Sequence, residues 1–406
     1  MGVLTPVGAG RNAFFSSLLS AHSGIGAVVA PFAGQLKIRI AAQVKDFDPT
    51  AHFDVRRLSQ LDRYTQLALV AAREAHADAR LQECDAGTTV GVYFGTSLGG
   101  AGTLEAGYEE LFRKGSGRVR PLSVVAAMPN AAAANIALDF GIKGPCITYS
   151  VACASSAIAI GEAARAIASG AVSVAVAGGS EALLTYGVMK SWESLMTLAI
   201  EDRAAPHTSC RPFARDRTGL VLAEGAGVVI LEDLEAAAER GAGVHAEIVG
   251  YGLSNDGIHL SRPDAEGQAR AMSAAIAEAG RHGVDCEDIG YVNAHGTATK
   301  AGDKVETESI KRAFGNHARR VAISSTKALH GHLMGAGGAV ELIAAILAME
   351  QELVPPTAHL WQPDPECDLD YVPLEPRSSP GLAAVMSNSF AFGGTNAVLI
   401  ARRVSL

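Results

Sequence analysis

Apolar positions along this 406-residue chain follow two alternating rhythms. Short Val/Ile-rich runs at 88–94, 146–152, 172–178, 226–231, 245–250, 289–293, 321–325 and 396–402 predict strands. Ala-rich stretches with helical spacing predict helices over 60–79, 154–169, 233–240, 267–281, 303–314 and 336–350. Strands alternating with helices in this way favour an α/β architecture, with parallel or mixed sheets covered by helices.

The rhythm contains a faint repeat. Val-Tyr-Phe-Gly-Thr-Ser-Leu (92–98) and Val-Asn-Ala-His-Gly-Thr-Ala-Thr (292–299) are each followed by a helical stretch with acidic residues. Each half then sends a strand into a small-residue helix, at Cys153 in the first half and over Ser324–Val340 in the second. The repeat predicts two duplicated halves, 1–240 and 241–406, whose strand ends share one central site.

Composition sharpens this picture. Hydrophobic residues make up 48% and charged residues 19%, as in an ordinary folded chain, and the 44 glycines with abundant alanine predict buried helices inside a layered core. A net charge of −8 without a Lys/Arg run argues against a nucleic-acid partner. The six cysteines show no Cys-x-x-Cys spacing, so neither a zinc site nor a dithiol motif is expected, and reduced thiols in a cytoplasmic protein are. The longest apolar stretch, 333–349, is interrupted by Glu341 and glycines and is too short to span a bilayer, so no membrane is expected.

Candidate chemistry lies in four segments. Tyr-Ser-Val-Ala-Cys-Ala-Ser-Ser-Ala-Ile (149–158) places Cys153 between a strand and a helix. A helix starting at Ala154 would direct unpaired N–H groups at the sulfur and favour the thiolate; the competing reading is a buried structural cysteine. Val-Asn-Ala-His-Gly-Thr-Ala-Thr (292–299) places His295 at a strand end, as a site residue or a hydrogen-bonded core histidine. In Ser-Thr-Lys-Ala-Leu-His-Gly-His (325–332), the His330-x-His332 pair lacks a third ligand motif, so no metal is expected, and His330 is placed at the surface or in a layer behind the site. Finally, Ser-Asn-Ser-Phe-Ala-Phe-Gly-Gly-Thr-Asn-Ala (387–397) offers a Gly-Gly turn that either brings N–H groups to a reacting centre or simply reverses the chain.

Taken together with Leu-Thr-Pro-Val-Gly (4–8), Asp-Arg-Tyr-Thr-Gln-Leu-Ala (62–68), Ala-Gly-Gly-Ser-Glu-Ala (177–182) and Ala-Gly-Asp-Lys-Val-Glu (301–306), these segments resemble the β-ketoacyl-[acyl-carrier-protein] synthases, type I/II branch of the thiolase superfamily. The resemblance implies a thiolase-like five-layer αβαβα fold. It also implies decarboxylating Claisen condensation of an acyl-enzyme thioester with malonyl-acyl-carrier protein, giving 3-oxoacyl-acyl-carrier protein and carbon dioxide, in fatty-acid or related polyketide or polyene elongation. Cys153 would carry the acyl group, His295 and His332 would stabilise the enolate, and the backbone N–H groups of Cys153 and Phe392 would form the oxyanion hole. Lys327 and Glu341 would order the histidines or form a buried ion pair, the Phe392 ring would gate the nucleophile, and Thr297 and Thr299 would bind the pantetheine arm. No cofactor would be bound permanently, since acyl-carrier protein supplies the phosphopantetheine. A homodimer is implied, with a heterodimer as the variant. The alternative is a non-condensing, acyl-binding partner subunit, against which the intact Cys153, His295 and His332 count.

The chain departs from the family pattern in five places. Met1 begins almost inside the segment that an apolar strand normally precedes, so the first strand is expected to be missing or shortened. Ala214 and Thr218 stand where the family has aspartates, in Arg-Pro-Phe-Ala-Arg-Asp-Arg-Thr-Gly-Leu (211–220). The basic stretch of the carrier-docking surface is reduced to Arg56 and Arg57, followed by Ser59 and Gln60. Ala391 replaces a glycine, stiffening the gate. The Ala-Cys-Ala-Ser-Ser context falls between fatty-acid and polyketide types.

Overall fold

A computed structural model describes residues 1–45, 47–81 and 89–404. Two sheets organise the molecule. The first is six-stranded and uses β1 (Gly2–Thr5), β2 (Gly8–Ala9), β3 (Val90–Gly95), β4 (Cys146–Tyr149), β5 (Val174–Glu181) and β6 (Gly225–Glu232), in spatial order β2-β1-β6-β5-β3-β4. The second is five-stranded and uses β7 (Glu247–Asn255), β8 (Ile289–Asn293), β9 (Ala322–Ser324), β10 (Ala384–Phe390) and β11 (Thr395–Arg402), in order β9-β8-β10-β11-β7.

Apart from the short β2, the two orders are the same. In each sheet the second strand of its half lies beside the third and the fourth, both parallel to it, and the fifth and the first complete the sheet antiparallel. The faint repeat along the chain is thus a repeat of topology.

Five helices complete the layers: α1 (Arg63–Asp78), α2 (Ser155–Ala168), α3 (Ala265–Arg281), α4 (Lys300–Phe314) and α5 (Gly337–Gln351). Helix α1 covers the outer face of the first sheet, and α3, with α4 beside it, covers the second. Between the sheets lie α2 and α5, each touching strands of both, which yields the expected five-layer α/β sandwich of thiolase type. Both inner helices are built from small residues because two sheets and a second helix press on them. A Cβ at Gly338 of α5 would come within 2.8 Å of the Ala157 Cβ of α2, so only glycine allows this contact. Apolar enough to cross a membrane by composition, the stretch Met334–Gln351 is instead 89% buried within the protein.

The first strand is short rather than missing: β1 pairs antiparallel with β6, Val3 opposite Gly227. Its weak signal reflects its length, with only Val3 and Leu4 as large apolar residues. Strand β10 escaped the apolar rhythm entirely, because Ser387, Asn388 and Ser389 are polar yet fully buried. Helices Arg11–Leu19, Ala101–Tyr108, Ala131–Phe140 and Tyr186–Leu195 also lie outside the expected set. Of the six cysteines, Cys84 lies outside the described residues; the other five are free thiols.

Candidate active site

The chain leaves β4 through a sharp turn. Ala152 takes a left-handed φ of 44°, a conformation that costs a non-glycine residue roughly 1–2 kcal/mol, and Cys153 follows in a single 3₁₀ turn before α2. Ser155 closes the turn, accepting the Val151 N–H at 2.8 Å and donating to the Ala152 carbonyl at 2.7 Å. The sulfur points into a narrow cavity of about 150 Å³ whose lining includes His295, His332, Thr297, Thr299, Phe390, Phe392 and Trp192.

Both expected histidines reach that sulfur. His332 Nε2 lies 3.0 Å from Cys153 Sγ, and the His295 and His332 rings meet edge to face at a centroid distance of 5.4 Å. The Phe392 N–H donates to the Cys153 sulfur, which places one of the two expected oxyanion donors at the reacting atom.

Burial governs the ionisation of this cluster. It pushes the Cys153 thiol up to about 12, against the downward pull of the Lys327 charge. Burial of the sulfur at the closed end of the cavity thus opposes the thiolate preference expected from the helix start. Both His295 and His332 are held well below the usual imidazole range, first by burial and then by the Lys327 charge, so both are neutral at physiological pH. The Lys327 ammonium contacts the Glu341 carboxylate, and both side chains are buried. The buried ion pair is thus present, and its cation is the charge that acts on the two rings. Burial raises Glu341 to about 7 against the opposing pull of Lys327.

His330 is not a surface residue. It is fully buried, with Nε2 2.9 Å from Thr326 Oγ1 and Nδ1 2.8 Å from the Gly331 oxygen, so both ring nitrogens are engaged away from the sulfur. The donor atoms of Cys153, His295 and His332 lie within 4.8 Å of one another, close enough to raise the question of a metal. Neither His295 nor His332 has a protein partner on Nδ1 among the described residues.

Two contributors went unrecognised in the sequence. Glu306, in the second turn of α4, accepts the His295 N–H and the Gly296 N–H, each at 2.7 Å, and Asn388 of β10 donates to the same carboxylate at 3.1 Å. This carboxylate fixes the turn that carries His295. Trp192 stacks on Phe392 at 5.9 Å and 24°. Thr297 and Thr299 line the cavity with their hydroxyls 3.0 Å apart, and Thr299 also caps α4 by accepting the Gly302 N–H at 3.2 Å. The turn after Phe392 needs its two glycines, with φ of 90° and 80° at Gly393 and Gly394.

The missing aspartates are bypassed locally. Thr218 Oγ1 accepts the Ile200 N–H at 3.0 Å, and Ala214 packs in the core. Buried Arg217 finds its acids elsewhere, in Asp364 at 2.5 Å and Asp303 at 3.5 Å, and also holds the Thr299 and Lys300 carbonyls. On the reduced basic stretch, Arg57 faces Asp139 at 3.5 Å and Arg120 donates to the Ser59 carbonyl at 2.6 Å.

Comparison with known proteins agrees with this geometry. Residues 1–237 match the beta-ketoacyl synthase N-terminal domain and residues 245–361 the C-terminal domain. The chain is 39% identical over 406 residues to 3-oxoacyl-[acyl-carrier-protein] synthase 2 of Staphylococcus aureus (strain N315), covering 99% of this chain and 97% of that protein. It is 41% identical over 406 residues to nodulation protein E of Rhizobium meliloti (strain 1021), covering 100% and 98%. Among solved structures, a beta-ketoacyl synthase from Burkholderia phymatum STM815 superposes with a TM-score of 0.91 at 36% identity, covering 100% of this chain and 98% of that one. The ishigamide ketosynthase/chain length factor superposes at 0.90 with 32% identity, covering 100% and 98%. With its duplicated sheets and its thiol between two imidazoles, the chain belongs to the β-ketoacyl synthase family.

Proposed function

We propose that the protein elongates acyl chains by decarboxylating Claisen condensation, acting as a 3-oxoacyl-[acyl-carrier-protein] synthase. The observation that carries the reading is the convergence of the Cys153 sulfur and the His295 and His332 ring nitrogens within 4.8 Å. Cys153 Sγ, held as a thiolate by the His332 Nε2–H that faces it, attacks the acyl thioester carbonyl; the C–S bond to pantetheine breaks and the thiol proton ends on the departing pantetheine sulfur. Malonyl thioester then enters and its C–C bond to the carboxylate breaks, releasing carbon dioxide. The enolate oxygen is held by N–H donors of His295 and His332, a role that needs neutral rings. Its carbanion attacks the acyl-Cys153 carbonyl, whose oxygen faces the N–H groups of Phe392 and Cys153. Sulfur leaves, is reprotonated, and a 3-oxoacyl thioester remains.

The phosphopantetheine arm arrives on acyl-carrier protein and lies along Thr297 and Thr299. Lys327 and Glu341 act from behind, and the Phe392 ring gates the sulfur. The halves 1–240 and 241–406 act as one body, each giving part of the site. A cytoplasmic setting suits the five unpaired thiols.

A homodimer belongs to the same proposal. Strand β4 ends the first sheet with an unpaired edge on which Cys146 and Ile147 are exposed. Leu122, Val124, Val125 and Leu138, all more than half exposed, come from the segment leading into that strand. Two β4 edges pairing across a two-fold axis would bury both features; a chain carrying Ile147→Asp that sediments like the parent removes this interface.

The deciding assay is mass spectrometry of carrier-bound products from a panel of acyl chains, with malonyl-acyl-carrier protein as extender. A product two carbons longer, bearing a 3-oxo group, is expected; unchanged acyl chains would point to a non-condensing subunit.

A further inference from the structure

The solvent end of the cavity has a chemistry that the condensation itself does not use. The lining runs from Cys153, only 6% exposed, out to His259, Leu260, Ser261, Arg262 and Pro263. Arg262 is the sole lysine or arginine among the described residues lining the cavity. Its backbone N–H is engaged, but its guanidinium, which is exposed, has no hydrogen bond, ion pair or ring partner among the described residues. Next to it, His259 Nδ1 accepts two backbone N–H groups, from Ser261 at 3.1 Å and Arg262 at 3.2 Å. A ring nitrogen that accepts is unprotonated, so in the neutral ring the proton sits on Nε2, which becomes a donor on an exposed side chain. Ser261 adds an exposed hydroxyl beside it.

This donor set stands on a fixed loop. Asp256 accepts the Asp264 N–H at 3.0 Å and the Asn396 side-chain amide at 2.7 Å, while the Leu260 carbonyl accepts the Gly393 N–H at 2.7 Å. The two acids that also line the cavity are committed elsewhere, Asp256 to these contacts and Glu306 to the His295 turn. What remains at the opening is an unpaired guanidinium, an imidazole N–H and a hydroxyl whose one contact is a long one, 3.5 Å, to His259 Nδ1: donors and positive charge, suited to a phosphate.

Resting on the reading of the cavity as a thioester tunnel, we infer that Arg262, His259 and Ser261 form a phosphate subsite that holds the phosphate at the outer end of the pantetheine arm. That chemistry has two sources, the phosphodiester of a carrier protein and the phosphates of a free coenzyme A thioester.

Protection of Cys153 from iodoacetamide tests it, read by intact-mass spectrometry on the full chain. 4′-Phosphopantetheine should protect with an apparent Kd at least tenfold tighter than pantetheine. Arg262→Ala should erase that difference while leaving unprotected alkylation and pantetheine protection unchanged, and Arg262→Lys should restore part of it. Equal protection by the two compounds in the parent chain, or an equal loss for both in R262A, overturns the subsite. Holo-carrier protein and coenzyme A form the second arm: whichever loses protection in R262A is the source served. Alkylation needs no condensation, so a chain that fails to form carbon–carbon bonds would sink the proposed reaction and still report on this subsite.

Discussion

The turn after β4 and the turn after β9 occupy equivalent places in two sheets of the same strand order, and they have been put to opposite uses. The first is strained at Ala152 and presents one sulfur, Cys153 Sγ, to the cavity. The second is an elaborate buried structure: Lys327, His330 and His332 precede α5, and Glu341 on α5 meets Lys327. One half supplies the thiol, proposed above as the bond-making atom, while the other buries two imidazoles and adds a charge that helps to keep them neutral. Duplication of a scaffold thus provides placement, and the chemistry follows from which side chains each copy buries.

The comparison can be broken experimentally, beginning with the nucleophile. Cys153→Ala should lower enzyme acylation and condensation on the order of 10³-fold or more, read as loss of the acyl adduct by intact-mass spectrometry. Decarboxylation of malonyl-carrier protein should survive, because it uses only the second half's chemistry. If decarboxylation falls equally, the division of labour is wrong.

Next come the imidazoles. His295→Ala and His332→Ala should each slow decarboxylation by about 10²–10⁴-fold, measured as carbon dioxide release. Acylation should suffer in His332→Ala alone, since only its Nε2 lies 3.0 Å from the sulfur. Equal acylation defects would assign both rings to the thiol.

The buried pair gives a smaller, thermodynamic effect. Lys327→Met leaves Glu341 without its cation and should cost about 3–5 kcal/mol, whereas Lys327→Met with Glu341→Leu should recover most of it. Denaturant titration of the three chains reads this directly, and a double variant as unstable as the single would deny the pairing.

Acidity should change activity least. Both catalytic rings are held well below 6.5, so decarboxylation should show no acidic limb near that pH. The sign for stability is the reverse of a salt-bridged histidine. The unfolded chain takes up protons that the native cavity refuses, so the contribution of these rings is complete above pH 6.5 and falls as the solution is acidified below it. An activity profile with an inflection at 6.5 would show a ring that titrates freely.

Much of this architecture was legible in the chain, for a physical reason. Strands such as Ile289–Asn293 and helices such as Ser155–Ala168 are buried by apolar or small side chains, and burial leaves a rhythm. Strand Ala384–Phe390 left none, because its Ser387, Asn388 and Ser389 are buried beside the site rather than in plain core. Cys153, His295 and His332 were visible as residue types at strand ends. Glu306 was hidden, since nothing along the chain shows that a carboxylate in α4 folds back onto two amides of the preceding turn. The burial that opposes a Cys153 thiolate was hidden for a related reason: a helix start can be read from sequence, but the depth of the sulfur cannot.

Phe392 joins two duties in one residue. Its amide rests on the sulfur and its ring rests on Trp192. The ring can turn about its Cα–Cβ bond while the amide stays at the sulfur, so the proposed gate can open without dismantling the anion cradle. Admission of a guest and stabilisation of its anion would then be separate tasks, given to the side chain and the backbone of a single residue.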